Sequence, residues 1–103
     1  MHLTQTELDR LTIFTAAEMA RKRRARGVKL NYPEAAALIA DEAMEAARDG
    51  VSYDDVLVRA VHVLTEADVM EGVRDLVAGL RFEVLLEEGS RLVVLKDPIG
   101  GEA

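Results

Sequence analysis

The apolar residues of this chain change period once, near residue 80, and that change limits the fold more than any other feature of its 103 residues. Before it, apolar side chains recur every three or four positions, the spacing of helices that bury one face. After it, Leu80, Phe82, Val84 and Leu86 alternate with Arg81, Glu83 and Glu87, and only Leu85 breaks the polar side. A second short run, Leu92 to Leu95, stops at Asp97-Pro98, since proline cannot donate to a strand ladder. The pattern predicts an α+β chain, mainly helical, with three main helices and a short fourth followed by a C-terminal antiparallel β-hairpin. The length fits one domain over residues 1–103. A lone hairpin is marginal in water, so this one must pack on the helices, on a partner, or on both.

Local signals place the helices. Thr4 and Glu7 have capping-box spacing, and Leu3 can staple onto Leu8. Leu8, Leu11, Phe14 and Ala17 recur at steps of three, with Ile13, Ala16 and Ala20 widening the stripe. Gly27 suits the residue after a helix end, because it takes positive φ without a Cβ clash. Arg21, Lys22, Arg23, Arg24 and Arg26 fall in the last turns, where cations favour the negative end of the dipole. The second helix opens at Asn31-Tyr32-Pro33-Glu34, with Asn31 or Tyr32 as N-cap, and runs through an alanine-rich body to Gly50. Alanine has the best helix propensity and lets a neighbouring backbone approach closely. Ser52 and Asp55 cap a third helix whose apolar face is Val56, Leu57, Ala60, Val61 and Leu64. Thr65 and Asp68 repeat the pattern and predict a short fourth helix over about residues 66–71. Glu88-Gly89-Ser90 reads as the hairpin turn.

Composition excludes several chemistries together. With no Cys there is no disulfide framework, thiolate nucleophile, zinc finger or iron–sulfur site. A reducing interior such as the cytoplasm fits that usage, and Glu7, Asp9 and Arg10 stand where an export signal would be apolar. The longest apolar run, Ala35 to Ala40, is six residues, far below the ~20 needed to span a bilayer. Charge is split: residues 1–29 carry seven bases and three acids within a chain of net charge −6. An acidic body with one basic cluster makes a poor nucleic-acid binder. At ~100° per residue the bases at 21, 22, 23, 24 and 26 point all round the helix rather than along a stripe, which favours a solvated helix end or a subunit contact.

No catalytic constellation emerges. His2 and His62 lie sixty positions apart, so the i, i+4 pair of helical zinc sites is absent, and His62 reads as a partly buried or interfacial side chain. Ser52 and Ser90 are explained as a cap and a turn. No nucleophile elbow and no glycine-rich phosphate loop appears. The carboxylates Asp41, Glu45 and Asp49 read as a solvated helix face. The residues by themselves describe an acidic α+β protein whose work is to pack against something else.

One string is more specific. Arg26-Gly27-Val28-Lys29-Leu30-Asn31-Tyr32-Pro33-Glu34-Ala35 resembles the signature of the urease gamma-subunit family, as do Leu3-Thr4, Phe14-Thr15-Ala16, Ala47-Arg48-Asp49-Gly50, Val69-Met70-Glu71-Gly72-Val73 and Pro98-Ile99. The resemblance runs from residue 3 to about 99 in register. The sequence departs from the family pattern at Arg74, where proline is frequent, at the hairpin tip, and at Lys96-Asp97-Pro98.

The resemblance implies a non-catalytic structural subunit of a nickel-dependent urease, the cytoplasmic enzyme that hydrolyses urea to ammonia and carbamate. It implies urease beta and alpha subunits as partners in a trimer of heterotrimers, with neither nucleic acid nor membrane. Two nickel ions are expected in the partner alpha subunit, so no catalytic, cofactor-binding or metal residue is carried onto this chain. A chain closing just past Pro98-Ile99 looks like the three-gene bacterial form. Polar and aromatic residues clustered in a connection mark Arg24, Arg26, Lys29, Asn31, Tyr32 and Glu34 as expected subunit contacts. The competing reading is a free-standing helical binding or regulatory module using the basic end of helix one. A small free-standing enzyme is the third.

Overall fold

The computed structural model describes residues 1–103. Helix α1 spans Gln5–Ala25, α2 Tyr32–Arg48 and α3 Tyr53–Ala60. A single 3-10 turn covers Glu66–Asp68, α4 covers Val73–Val77, and strands β1 (Leu80–Leu86) and β2 (Gly89–Leu95) close the chain. The three N-caps are side chains accepting from the backbone: Thr4 from Glu7, Asn31 from Glu34 and Ser52 from Asp55. Asn31, not Tyr32, is therefore the cap of α2. Pro33 follows it within the first turn, where its missing N–H has no intrahelical partner to lose.

The segment after α3 differs from expectation. Thr65 and Asp68 do form their reciprocal bonds, but the helix lasts one turn. Val69 is extended, because its neighbours pair with Leu30: Leu30 N–H donates to Asp68 O at 2.9 Å and Met70 N–H to Leu30 O at 2.9 Å. This short parallel bridge takes residues 69–70 out of helical geometry. Gly72 then turns left-handed, at φ 83°, and α4 begins.

Helix α2 is central. It packs against α1, α3, α4 and β1, and Ala35, Leu38, Ile39, Ala43 and Ala46 on it are essentially inaccessible. What α1 buries fully is small: Ala17 and Ala20. Two alanines bring little apolar area, at about 25 cal/mol per Å². The join is completed by charge. Asp41 on α2 is 1% exposed; one carboxylate oxygen takes Arg10 Nη1 at 2.7 Å and the other takes Arg21. Arg21 also reaches Glu42 at 3.0 Å and Glu18 on its own helix.

The hairpin is antiparallel, in register from Leu80 opposite Leu95 to Leu86 opposite Gly89. Its turn is Glu87–Glu88, and Gly89 already belongs to β2, with the positive φ (122°) that the bend requires. Val84, Leu86, Val93 and Leu95 are buried toward the helices. Tyr53 secures β2, its hydroxyl donating to Leu92 O at 3.0 Å while Arg91 stacks on its ring at 3.6 Å.

The end of the chain is tied back. Arg74 donates to Asp97 at 2.7 Å and to Glu66 at 3.1 Å, and Asp97 also accepts from Gly100 N–H at 3.0 Å. Arg74 and Asp97, 23 positions apart, thus meet. Gly100 leaves room for them: a Cβ there would lie 2.2 Å from Asp97 Oδ2.

Asp41→Asn should destabilise the protein by about 2–4 kcal/mol, because two guanidiniums lose a buried anionic partner. Urea unfolding followed by circular dichroism measures this, and an unchanged midpoint would contradict the role given to Asp41.

Candidate subunit-contact surface

The six residues expected at contacts sort into three pairs. Asn31 and Glu34 build the α2 cap: Glu34 N–H donates to Asn31 Oδ1 at 3.0 Å, and Asn31 N–H to Glu34 Oε1 at 2.9 Å. The second oxygen of Glu34 takes Arg23, and the residue is buried. Burial works against the Glu34 carboxylate, yet the Asn31 N–H and the Arg23 guanidinium outweigh it and hold its pKa below the usual range. Arg24 and Lys29 tie the α1–α2 connection to the 3-10 turn. Arg24 donates to Asp68 at 3.3 Å and Lys29 Nζ to Ala67 O at 3.0 Å. Asp68 is likewise held low: burial opposes its charge, but the Thr65 N–H and Arg24 prevail. Arg26 and Tyr32 remain on the surface, Tyr32 at 41% exposure.

Much of the basic cluster is thus engaged within the chain. Arg21, Arg23 and Arg24 face carboxylates of α2 and the 3-10 turn. The carboxylates read as a solvated face include a buried one, Asp41. His62 is exposed, with Nδ1 2.6 Å from Val58 O. It borders an open cleft of about 390 Å³ that Arg24, Glu42, Glu45, Asp49 and Arg59 also line. No hydroxyl or thiol nucleophile lines that cleft.

A surface that sequence reasoning placed differently is apolar. Leu8 and Leu11, expected on the apolar stripe of helix one, point away from the core, as does Met19, and Phe14 stands on the flank between the two sides; each is 42–50% exposed. The core side of α1 is instead the row Arg10, Ala17 and Arg21, at steps of seven and four. That row was a readable signal, masked by the larger side chains opposite. The hairpin repeats the situation: Leu85, Leu92 and Val94 stand on its outer face at 71%, 51% and 43% exposure. Register makes them contiguous, since Leu85 lies opposite Ser90, diagonal to Leu92. Contiguous exposed apolar groups of this kind mark interaction surfaces.

Fold and surface together define a small, mainly helical α+β chain with two apolar faces left open. Residues 1–99 match the family described as "Urease, gamma subunit", and the chain belongs to that family. It is 52% identical over 99 residues to the urease subunit gamma of Yersinia enterocolitica, covering 96% of this chain and 99% of that one. The urease subunit gamma of Yersinia aldovae is equally similar. A urease subunit gamma/beta from Streptomyces coelicolor is 54% identical over 101 residues, which is 98% of this chain and 44% of the longer relative.

The ion pairs make stability acid-sensitive. The Arg74 guanidinium chiefly holds Asp97 below the usual carboxylate range, with Gly100 N–H adding to it against burial. A carboxylate lowered in the folded state contributes stability above its unfolded value and loses it as pH falls through its folded value. The melting temperature should therefore hold from pH 7 to roughly 5 and drop below about 4. Asp97→Asn should melt lower than the parent at neutral pH and converge with it near pH 2. Parallel curves across the whole range would rule out this linkage.

Proposed function

We propose that this chain is the non-catalytic gamma subunit of a nickel-dependent urease, packing with beta and alpha subunits as one domain of a cytoplasmic trimer of heterotrimers. The complex hydrolyses urea to ammonia and carbamate, which decays to carbon dioxide. The observation that carries this reading is the pair of uncovered apolar faces on a chain of the gamma-subunit family. A relative in which a gamma/beta urease subunit is one chain supports the beta partnership.

The residues present do not suit nickel. No three His, Cys, Asp or Glu side chains converge, and one nitrogen of His62 is turned onto a backbone carbonyl. We assign the two nickel ions to the alpha partner and no step of the reaction to this chain. No helix is long and apolar enough to cross a membrane. The reading as a module working through a free basic helix end is disfavoured, because Arg21, Arg23 and Arg24 are already paired.

Contacts are proposed along α1 and at the Lys29–Glu34 turn, where Arg26 and Tyr32 offer exposed side chains next to a rigid cap. Tagged protein drawn from its native extract should bring a beta-like and a nickel-bearing large subunit with it. Absence of both would refute the subunit assignment. In the co-expressed complex, Arg24→Glu with Arg26→Glu should shift most of the chain out of the high-mass peak on size exclusion. Unchanged assembly would count against these contacts while leaving the subunit assignment standing.

A further inference from the structure

The outer face of α1 is self-complementary, and we propose that it pairs with the same face of a second copy of this chain, antiparallel, about a two-fold axis at Thr15. This rests on the reading of α1 as a contact element and names a second gamma chain as its partner, which leaves the Lys29–Glu34 turn and the hairpin face to the beta and alpha subunits. At 100° per residue, Leu8, Leu11, Thr15, Met19 and Lys22 share one face, and Phe14 and Glu7 flank it. All seven are exposed. The order along the helix is acid, apolar, base, with Glu18 at the edge of the apolar part paired to Arg21 of its own helix. Glu7 lies in the first turn, Leu8, Leu11, Phe14 and Met19 in the body, and Lys22 in the last turn.

A two-fold axis at Thr15 sets Leu11 against Met19 of the copy and Leu8 against the aliphatic stem of its Lys22. Phe14 lies on one flank of the seam, beside Phe14 of the copy, because the two-fold keeps each flank on its own side. Glu7 comes beside the copy's Lys22, so the charged ends match, and the two helix dipoles run opposite ways. Parallel pairing would instead set Glu7 on Glu7 and Lys22 on Lys22. The small threonine on the axis lets the helices approach, and its hydroxyl is already satisfied by Leu11 O at 2.9 Å. The helix has 21 residues and so is about 31 Å long, which places such a contact at the small, reversible end of specific interfaces. In the assembled enzyme it would join two complexes through their gamma chains.

The chain has no Cys, so single cysteines report directly. Under mild oxidation, full-length Thr15→Cys should form a disulfide dimer, since a residue on the axis meets its own copy within the ~7 Å a disulfide spans. Lys22→Cys should not, because seven residues on either side of the axis separate the two thiols by about 21 Å. Adding Leu11→Glu to Thr15→Cys should cut the dimer yield roughly tenfold with an unchanged melting curve, as Leu11 is outside the core. No dimer from Thr15→Cys overturns the proposal, and so do equal yields from both cysteines, which mean parallel or random contact. Thr15→Cys that dimerises alone but is shielded in the purified complex also overturns it, because another subunit then covers α1. Each of these results leaves the subunit reading intact; only failure to co-purify with beta and alpha subunits removes that reading.

Discussion

A single buried carboxylate organises the join on which the rest of the chain depends. Asp41 sits on α2 among alanines, where an unpaired anion would be strongly disfavoured. Its two oxygens take Arg10 and Arg21 from α1, two guanidiniums spaced three helical turns apart on one face. This sets both the rotation of α1 about its axis and its height along α2. Neither Ala17 nor Ala20 has the shape to specify either by packing alone. Burying a charge pair adds little net stability over apolar packing. What it adds here is geometry: a helix whose buried side is small and featureless has one way to dock.

That choice explains the surface. Because Arg10, Ala17 and Arg21 face inward, Leu8, Leu11 and Met19 must face outward, while Phe14, close to Arg10 and Arg21 round the helix, is left half-exposed on the flank. The hairpin obeys the same logic through its pleat: once Val84, Leu86, Val93 and Leu95 cover the helices, Leu85, Leu92 and Val94 have no inner side to occupy. Two open apolar faces would be a liability in a free monomer. On the subunit reading proposed above, they are the surfaces left for neighbours to cover. The connection between α1 and α2 is stiffened to match, by the Asn31–Glu34 box, by Lys29 and Arg24 on the 3-10 turn, and by the Leu30–Val69 bridge. Arg74 and Asp97 show the same economy at the other end. Their ion pair pins the last turn.

Readings that depend on neighbours in sequence were sound. Thr4 with Glu7, Asn31 with Glu34 and Ser52 with Asp55 cap the expected helices, since a cap is made within four residues. The period change announced the hairpin for the same reason. Readings that depend on distant residues went astray. The helix expected over 66–71 shortened to one turn because Leu30, nearly forty positions earlier, takes the backbone of Asp68 and Met70. The turn moved to Glu87–Glu88 because cross-strand register, not the glycine alone, sets where β2 begins.

Of the residues expected at contacts, the sequence marked a connection but could not say that Glu34 is turned inward or that Arg24 and Lys29 are tied to residues 67–68. By itself the sequence determined the order and kind of elements and the family, because these are written in local spacing and residue type. Tertiary structure alone decided which side of α1 faces the core. Hydrophobic periodicity measures how apolar a face is, and here a buried carboxylate on another helix outweighed it.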